Sequence, residues 1–199
     1  MTTPAAKANN ENYQRILSAG YTLISRKGFS AVGLAELLVH AGVPKGSFYY
    51  YFKSKEQFGE ALVDHYFDDY QQRVKQLFSA PGLNAKDKLL RYWQEWLRRE
   101  SAEGDCGKCL VVKLGAEVAE LSEPIRLRLK AASEKTVQQL ADLIERGNRD
   151  GSLTITDPTQ CAAQLYQMWL GASLLTKLQQ SAQPLQRAYH STEIILNTP

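Results

Sequence analysis

Residues Gly28 to Glu56 read GFSAVGLAELLVHAGVPKGSFYYYFKSKE. Leu34, Leu37, Leu38 and Ala41 recur at helical spacing and would bury one face of a first short helix. Gly42 then supplies a position free to take positive φ. Pro44 drives the residue before it out of the helical region and fits the first turn of a new helix. The chain stops, turns and restarts within about four residues, the pattern of a helix-turn-helix. The restarted helix, Lys45 to Phe52, divides by chemistry: Phe48, Tyr51 and Phe52 can anchor an inner side, while Lys45, Ser47, Tyr49 and Tyr50 are polar tips. Its first N–H groups and its lysine suit phosphate, and its early side chains suit base edges in a major groove. Ser54 with Gln57 makes a capping box for a longer helix, and Lys55 in that helix's first turn offers a second phosphate anchor. The plainer alternative is a helical hairpin that packs a core without touching DNA.

The run Ala41-Gly42-Val43, Lys45-Gly46-Ser47, Tyr49, Phe52 and Ser54-Lys55-Glu56 resembles the DNA-binding half of the TetR family of bacterial transcriptional regulators. Two positions depart from that family's common form, Pro44 where serine is frequent and Tyr50 where histidine is frequent. Tyr50 can still donate to phosphate, so an altered operator preference is expected, with DNA binding kept. Gly33 is a weaker N-cap than the Ser or Thr often found there. The resemblance implies an all-α fold of about nine helices: a three-helix DNA-binding domain over residues 1–54 and a helical sensing and dimerisation domain over 55–199. It further implies a repressor, not an enzyme, that needs no cofactor or metal and contacts double-stranded DNA through Lys45, Gly46, Ser47, Tyr49, Tyr50, Lys53 and Lys55. Homodimerisation would use the last two helices, roughly 157–180 and 184–197. There Gly171 and Ala172 allow close approach, and Leu165, Trp169, Ile194 and Ile195 supply apolar area. Intramolecular core is the competing reading of that stripe. Two reader helices in a dimer would select a near-palindromic operator.

Charge placement agrees with a DNA reader. The net charge is +3, and residues 1–60 hold seven Lys/Arg against four acids, so the rest of the chain is balanced. At 199 residues, 44% apolar and 23% charged, the composition is ordinary globular usage for one or two compact units. No run approaches the roughly 20 apolar residues of a membrane span, and the opening residues lack an apolar signal core, so no membrane partner and a cytoplasmic location are expected.

Beyond the reader, helical periodicity continues almost without strand signal. A first helix from about Asn10 to Lys27 presents Tyr13, Ile16, Leu17, Tyr21 and Ile24 on one face. Others are expected over Lys55 to Ser79, Lys86 to Arg99, Cys106 to Ala119 with Asp105 as cap, Ser122 to Arg149, Asp157 to Gln180 and Pro184 to Leu196.

Three cysteines bear on regulation. Cys161, within Cys-Ala-Ala, reads as a small packing residue. Cys106 and Cys109 fall in the first turns of an expected helix, where the macrodipole favours thiolate and Lys108 and Lys113 add positive charge. Such a thiolate would react early with oxidants or electrophiles. Their C-x-x-C spacing alone is weak evidence. Zinc needs further ligands, and His40, His65 and His190 are scattered; a thioredoxin-like enzyme needs a βαβ context that is absent. Two bystander cysteines remain the serious alternative. The segment from Cys109 to Val118, with Leu121-Ser122, Trp169-Leu170-Gly171-Ala172 and Lys177, is similar to the NemR-type subgroup of TetR regulators, which responds to electrophiles or oxidants through cysteine. That resemblance puts the sensing role on Cys109, with Cys106 an addition. Lys177, near the end of a mostly apolar helix, either snorkels to solvent or places its ammonium near the Cys109 thiolate.

A non-covalent aromatic or lipophilic effector is the competing inducer. Tyr66, Tyr92, Trp93, Trp96, Tyr166 and Trp169 could line an apolar cavity, although aromatics at helical spacing more often form core. His65, Asp68 and Asp69 read more simply as a solvated face than as metal ligands.

Overall fold

The computed structural model describes residues 11–102 and 109–197. Among these, nine α-helices follow one another: α1 (Glu11–Lys27), α2 (Leu34–Ala41), α3 (Lys45–Tyr51), α4 (Lys55–Ser79), α5 (Ala85–Ser101), α6 (Leu110–Leu121), α7 (Glu123–Asp150), α8 (Pro158–Gln179) and α9 (Gln183–Asn197). The all-α expectation holds. The fourth helix has the expected bounds, and Ser54 caps it: Gln57 N–H donates to Ser54 Oγ at 3.0 Å, while Gln57 Oε1 accepts from Lys53 N–H, one residue before the cap, at 2.7 Å. Asp157 caps α8 through Gln160 N–H at 2.9 Å. Asn84 caps α5, which therefore starts one residue before the expected Lys86.

The sixth helix departs most from expectation. It begins at Leu110, so Cys109 precedes it at the capping position and does not lie in its first turns. Asp105, Cys106 and Lys108 lie outside the described residues.

The chain forms two compact units. Among the described residues, the first comprises 11–68 and 113–130, and so extends past the motif itself to take in the start of α4, most of α6 and the start of α7. Its core joins Ile16, Leu17 and Ile24 of α1 to Phe48, Phe52, Phe58 and Leu62, all nearly fully buried. The second comprises 69–102, 109–112 and 131–197. Its core gathers Val74 and Phe78 of α4, Leu89 and Trp93 of α5, Leu140 and Ile144 of α7, Leu165 and Trp169 of α8, and Leu185 and Leu196 of α9.

Candidate functional site

The turn between α2 and α3 works as its sequence requires. Gly42 has φ 62°, and its N–H and that of Val43 cap the carbonyls of Val39 and Leu38. Arg15, to which the sequence assigned no role, donates from a guanidinium nitrogen to Gly42 O at 2.9 Å. Pro44 is the N-cap of α3 in extended conformation, one position earlier than the first helical turn. Phe48, Tyr51 and Phe52 are buried, and Lys45, Gly46, Tyr49, Tyr50 and Lys53 are exposed, with Ser47 half-buried. The reader helix thus shows solvent the polar tips that its sequence separates from its apolar side. Lys45 Nζ lies over the Tyr49 ring, 5.8 Å from its centroid.

Lys55 is drawn inward. Its ammonium donates to Ser30 O at 3.2 Å and lies 4.9 Å from the Phe29 ring centroid. Burial lowers its pKa, against the opposing charge of Glu117. The same turn between α1 and α2 receives Glu117 of α6, which accepts Phe29 N–H at 2.8 Å on Oε2 and Ser30 N–H at 2.7 Å on Oε1. Gly28, at φ 91°, leaves room for this carboxylate, since a Cβ there would stand 2.9 Å from Glu117 Oε2. Lys113, expected beside the thiol, donates instead to Arg26 O at 2.9 Å. Ser122 Oγ donates to Glu56 Oε1 at 2.6 Å, and Arg128 bonds Asp64 at 2.6 Å and Glu60 at 3.3 Å. These contacts escaped the sequence reading; the one local signal was an i,i+4 pair of charges, Lys113 and Glu117, inside the apolar segment LVVKLGAEVAEL.

In the second unit, Cys109 is a half-buried free cysteine at the N-cap of α6. Its sulfur accepts from the N–H groups of Val112 and Val111, which favours thiolate as the helix terminus argument required. Burial and the Glu100 carboxylate outweigh that help and push the thiol up to about 12. Burial and Glu100 thus act against the acidic thiol that the sequence led one to expect. The charged neighbour is Glu100, whose Oε1 accepts Cys109 N–H at 2.5 Å. Lys177 is exposed in the last turn of α8. Cys161 is buried, as a packing residue should be.

Five of the six aromatics assigned to a cavity come together. Trp93 stacks on Trp169 at 4.8 Å between centroids, Trp96 meets Tyr166 edge-on at 6.0 Å, and Tyr92 packs on Trp93 at 4.6 Å. They fill the core by touching one another. Tyr66 does not join them: it lies in the first unit, stacked on Tyr21 at 5.6 Å. Trp96 Nε1 donates to Ser173 Oγ at 3.0 Å and Trp169 Nε1 to Thr192 Oγ1 at 2.9 Å, while Trp93 Nε1 has no acceptor among the described residues.

The stripe assigned to dimerisation also divides. Leu165, Trp169 and Ala172 face inward as core, and Ile195 is half-buried. Gly171, Leu174, Leu175 and Leu178 stay exposed at i, i+3, i+4 and i+7 along α8, with Ile194 exposed on α9.

Comparison with known proteins bears on both halves of the chain. Residues 16–62 match the family described as bacterial regulatory proteins, tetR family, and residues 85–192 match the tetracyclin repressor-like C-terminal domain. The HTH-type transcriptional repressor NemR of Escherichia coli (strain K12) is 38% identical over 191 residues, covering 96% of each chain. The transcriptional regulator AcuR of Cereibacter sphaeroides is 32% identical, covering 87% of this chain and 80% of that one. The crystal structure of the reduced form of E. coli NemR superposes with a TM-score of 0.90 at 39% identity, covering 96% of this chain and 99% of that one.

Proposed function

Since this chain belongs to the TetR family of bacterial regulatory proteins, we propose that it is a dimeric transcriptional repressor released from its operator when Cys109 is modified by an electrophile or oxidant. DNA binding rests on α3, with Lys45, Gly46, Ser47, Tyr49, Tyr50 and Lys53 at the duplex. Lys55, engaged at Ser30 O, acts more through the turn it holds than through phosphate.

The observation that carries the sensing half is the continuity of α6. Cys109 caps its first turn, and two turns later Glu117 grips the backbone between α1 and α2 of the DNA-binding unit. Modification of a desolvated sulfur at the N-cap replaces hydrogen bonds that order the start of that helix, the helix that also carries Glu117. Only a modification that favours one arrangement of the readers over the other can change operator affinity.

The test is fluorescence-anisotropy binding of the reduced protein to its own upstream DNA at fixed salt, before and after N-ethylmaleimide, for wild type and Cys109→Ser. At least a tenfold loss in wild type that the variant escapes is the expected outcome. Equal affinity before and after treatment in both proteins would refute cysteine sensing.

A further inference from the structure

Arg15 reaches from the second turn of α1 to the turn of the helix-turn-helix, where its Nη2 donates to Gly42 O at 2.9 Å. A Cβ on Gly42 would stand 2.5 Å from Nη2, so the guanidinium lies where any other residue would carry its side chain. One of its five N–H donors is engaged, the side chain is exposed, and no carboxylate among the described residues pairs with it. Other cations of the same unit differ: Lys27 lies on Glu36 at 2.5 Å, Arg126 on Glu123 at 2.5 Å and Arg128 on Asp64 at 2.6 Å. Their charges are compensated within the protein, whereas Arg15 presents a whole positive charge held in place by a neutral carbonyl. From Gly42 to Lys45, the first residue of α3, the backbone spans at most about 11 Å, the rise of about three nucleotides on one strand.

We propose that Arg15 is a phosphate contact supplied by α1: anchored at Gly42 O, its guanidinium binds the duplex backbone beside the reader helix and sets how α3 enters the groove. The inference rests on the reading that α3 binds DNA. A guanidinium matches phosphate with two parallel N–H donors, and one already tethered loses less freedom on binding than an untethered lysine. Phosphate contacts fix register and orientation and carry no base information, so the choice of sequence stays with α3. The bond to Gly42 O ties the contacted phosphate to the turn from which α3 starts.

The test is the salt dependence of anisotropy binding by the purified full chain to its own upstream DNA and to a random-sequence duplex of the same length, for wild type, Arg15→Gln, Arg15→Lys and Lys27→Gln. Arg15→Gln keeps an amide donor for the turn and removes the charge. The slope of log K against log salt is expected to become shallower by about 0.9 per protomer on both duplexes, one counterion fewer being released, with the melting temperature close to wild type. Arg15→Lys should keep the wild-type slope, and so should Lys27→Gln, which removes a cation already paired with Glu36. A wild-type slope for Arg15→Gln overturns the proposal however much affinity is lost, because the side chain then only holds the turn. An equal loss of slope in Lys27→Gln overturns it too, since the slope would then report net charge alone. If Arg15→Gln folds poorly, the wild-type chain decides: bound duplex should shield Arg15 from phenylglyoxal, mapped by peptide mass spectrometry, and equal modification with and without DNA refutes the contact. If wild type binds neither duplex, the DNA-binding reading falls and Arg15 with it; if wild type binds with a steep slope that Arg15→Gln shares, the assignment of Arg15 alone fails.

Discussion

Glu117 holds Ser30 by its backbone: the Ser30 N–H donates to Glu117 Oε1 at 2.7 Å, 87 residues away along the chain. With Phe29 N–H on the other oxygen, one carboxylate satisfies two donors at the turn between α1 and α2. Glu117→Ala leaves both N–H groups without their acceptor. The expected cost is about 1–3 kcal/mol, measurable as a lower urea midpoint with the slope unchanged. Operator affinity should fall with it, because the turn that leads into α2 loses its fixed position. Affinity equal to wild type at 25 °C would separate the turn from the reader.

The same carboxylate sets a pH dependence. Burial alone would raise its pKa, but hydrogen bonds from Ser30 and Phe29 and the charge of Lys55 prevail and hold it below the ordinary value. A depressed carboxylate contributes stability that is fully present above its unfolded pKa, roughly 4.3, and is lost as pH falls through the folded value. Thermal melts of wild type and Glu117→Gln between pH 7 and pH 3 should therefore converge in acid. A gap that stays constant over that range would refute the ionic role.

Much of the DNA-binding unit was legible because its signals are local. Gly42 takes the positive φ its turn needs, Ser54 caps α4 through Gln57 N–H, and the apolar residues of α3 turn inward at the spacing the sequence displays. The site beyond it was legible only in part. Nothing local pairs Glu117 with Ser30, and Tyr66 has the same helical appeal as Tyr92 although it belongs to the other unit. The Cys109 thiol shows the limit most plainly. Its place near the start of a helix is written in the sequence, although not as the residue before the first turn, and the burial and Glu100 that raise its pKa arise from packing.

Lys45 and Lys55 should behave differently although both were assigned to phosphate. Lys45→Ala removes an exposed cation on the reader. It should weaken binding to all sequences alike and reduce the salt slope by about 1 per protomer. Lys55→Ala breaks the contacts to Ser30 O and the Phe29 ring. It should lower the melting temperature while the salt slope changes little. Titrations at several salt concentrations, paired with thermal melts, distinguish the two. A slope change for Lys55→Ala equal to that for Lys45→Ala would put its ammonium on phosphate.

The exposed stripe of α8 points to self-association. Leu178 is 70% exposed and shares one helical face with Gly171, Leu174 and Leu175, an apolar surface that the second unit's own core leaves uncovered. Leu178→Asp puts a charge where a partner helix would pack. It should shift sedimentation from dimer toward monomer and weaken binding to a two-half-site operator by an order of magnitude or more, since each monomer then holds one reader. The melt of the monomer should change little, because the side chain touches solvent in the isolated chain. A dimer that survives Leu178→Asp would move the interface elsewhere.

Thr192 tests how tightly the aromatic core depends on its hydroxyls. It is fully buried, accepts Trp169 Nε1 at 2.9 Å and donates to Ala188 O at 2.8 Å. Thr192→Val keeps the volume and removes the acceptor, leaving the Trp169 indole N–H in the condition that Trp93 already shows. A buried donor stripped of its partner costs about 1–3 kcal/mol, and α9 should lose that much of its hold on α8. Ser173→Ala, which strips Trp96 in the same way, should cost a similar amount, and the two effects should combine with some coupling because Trp96 and Trp169 pack at 6.2 Å. Denaturant midpoints of both single variants and the double variant measure this directly. A Thr192→Val protein as stable as wild type would mean that the indole finds another acceptor at little cost, and that the hydroxyls in this core are not what orders its tryptophans.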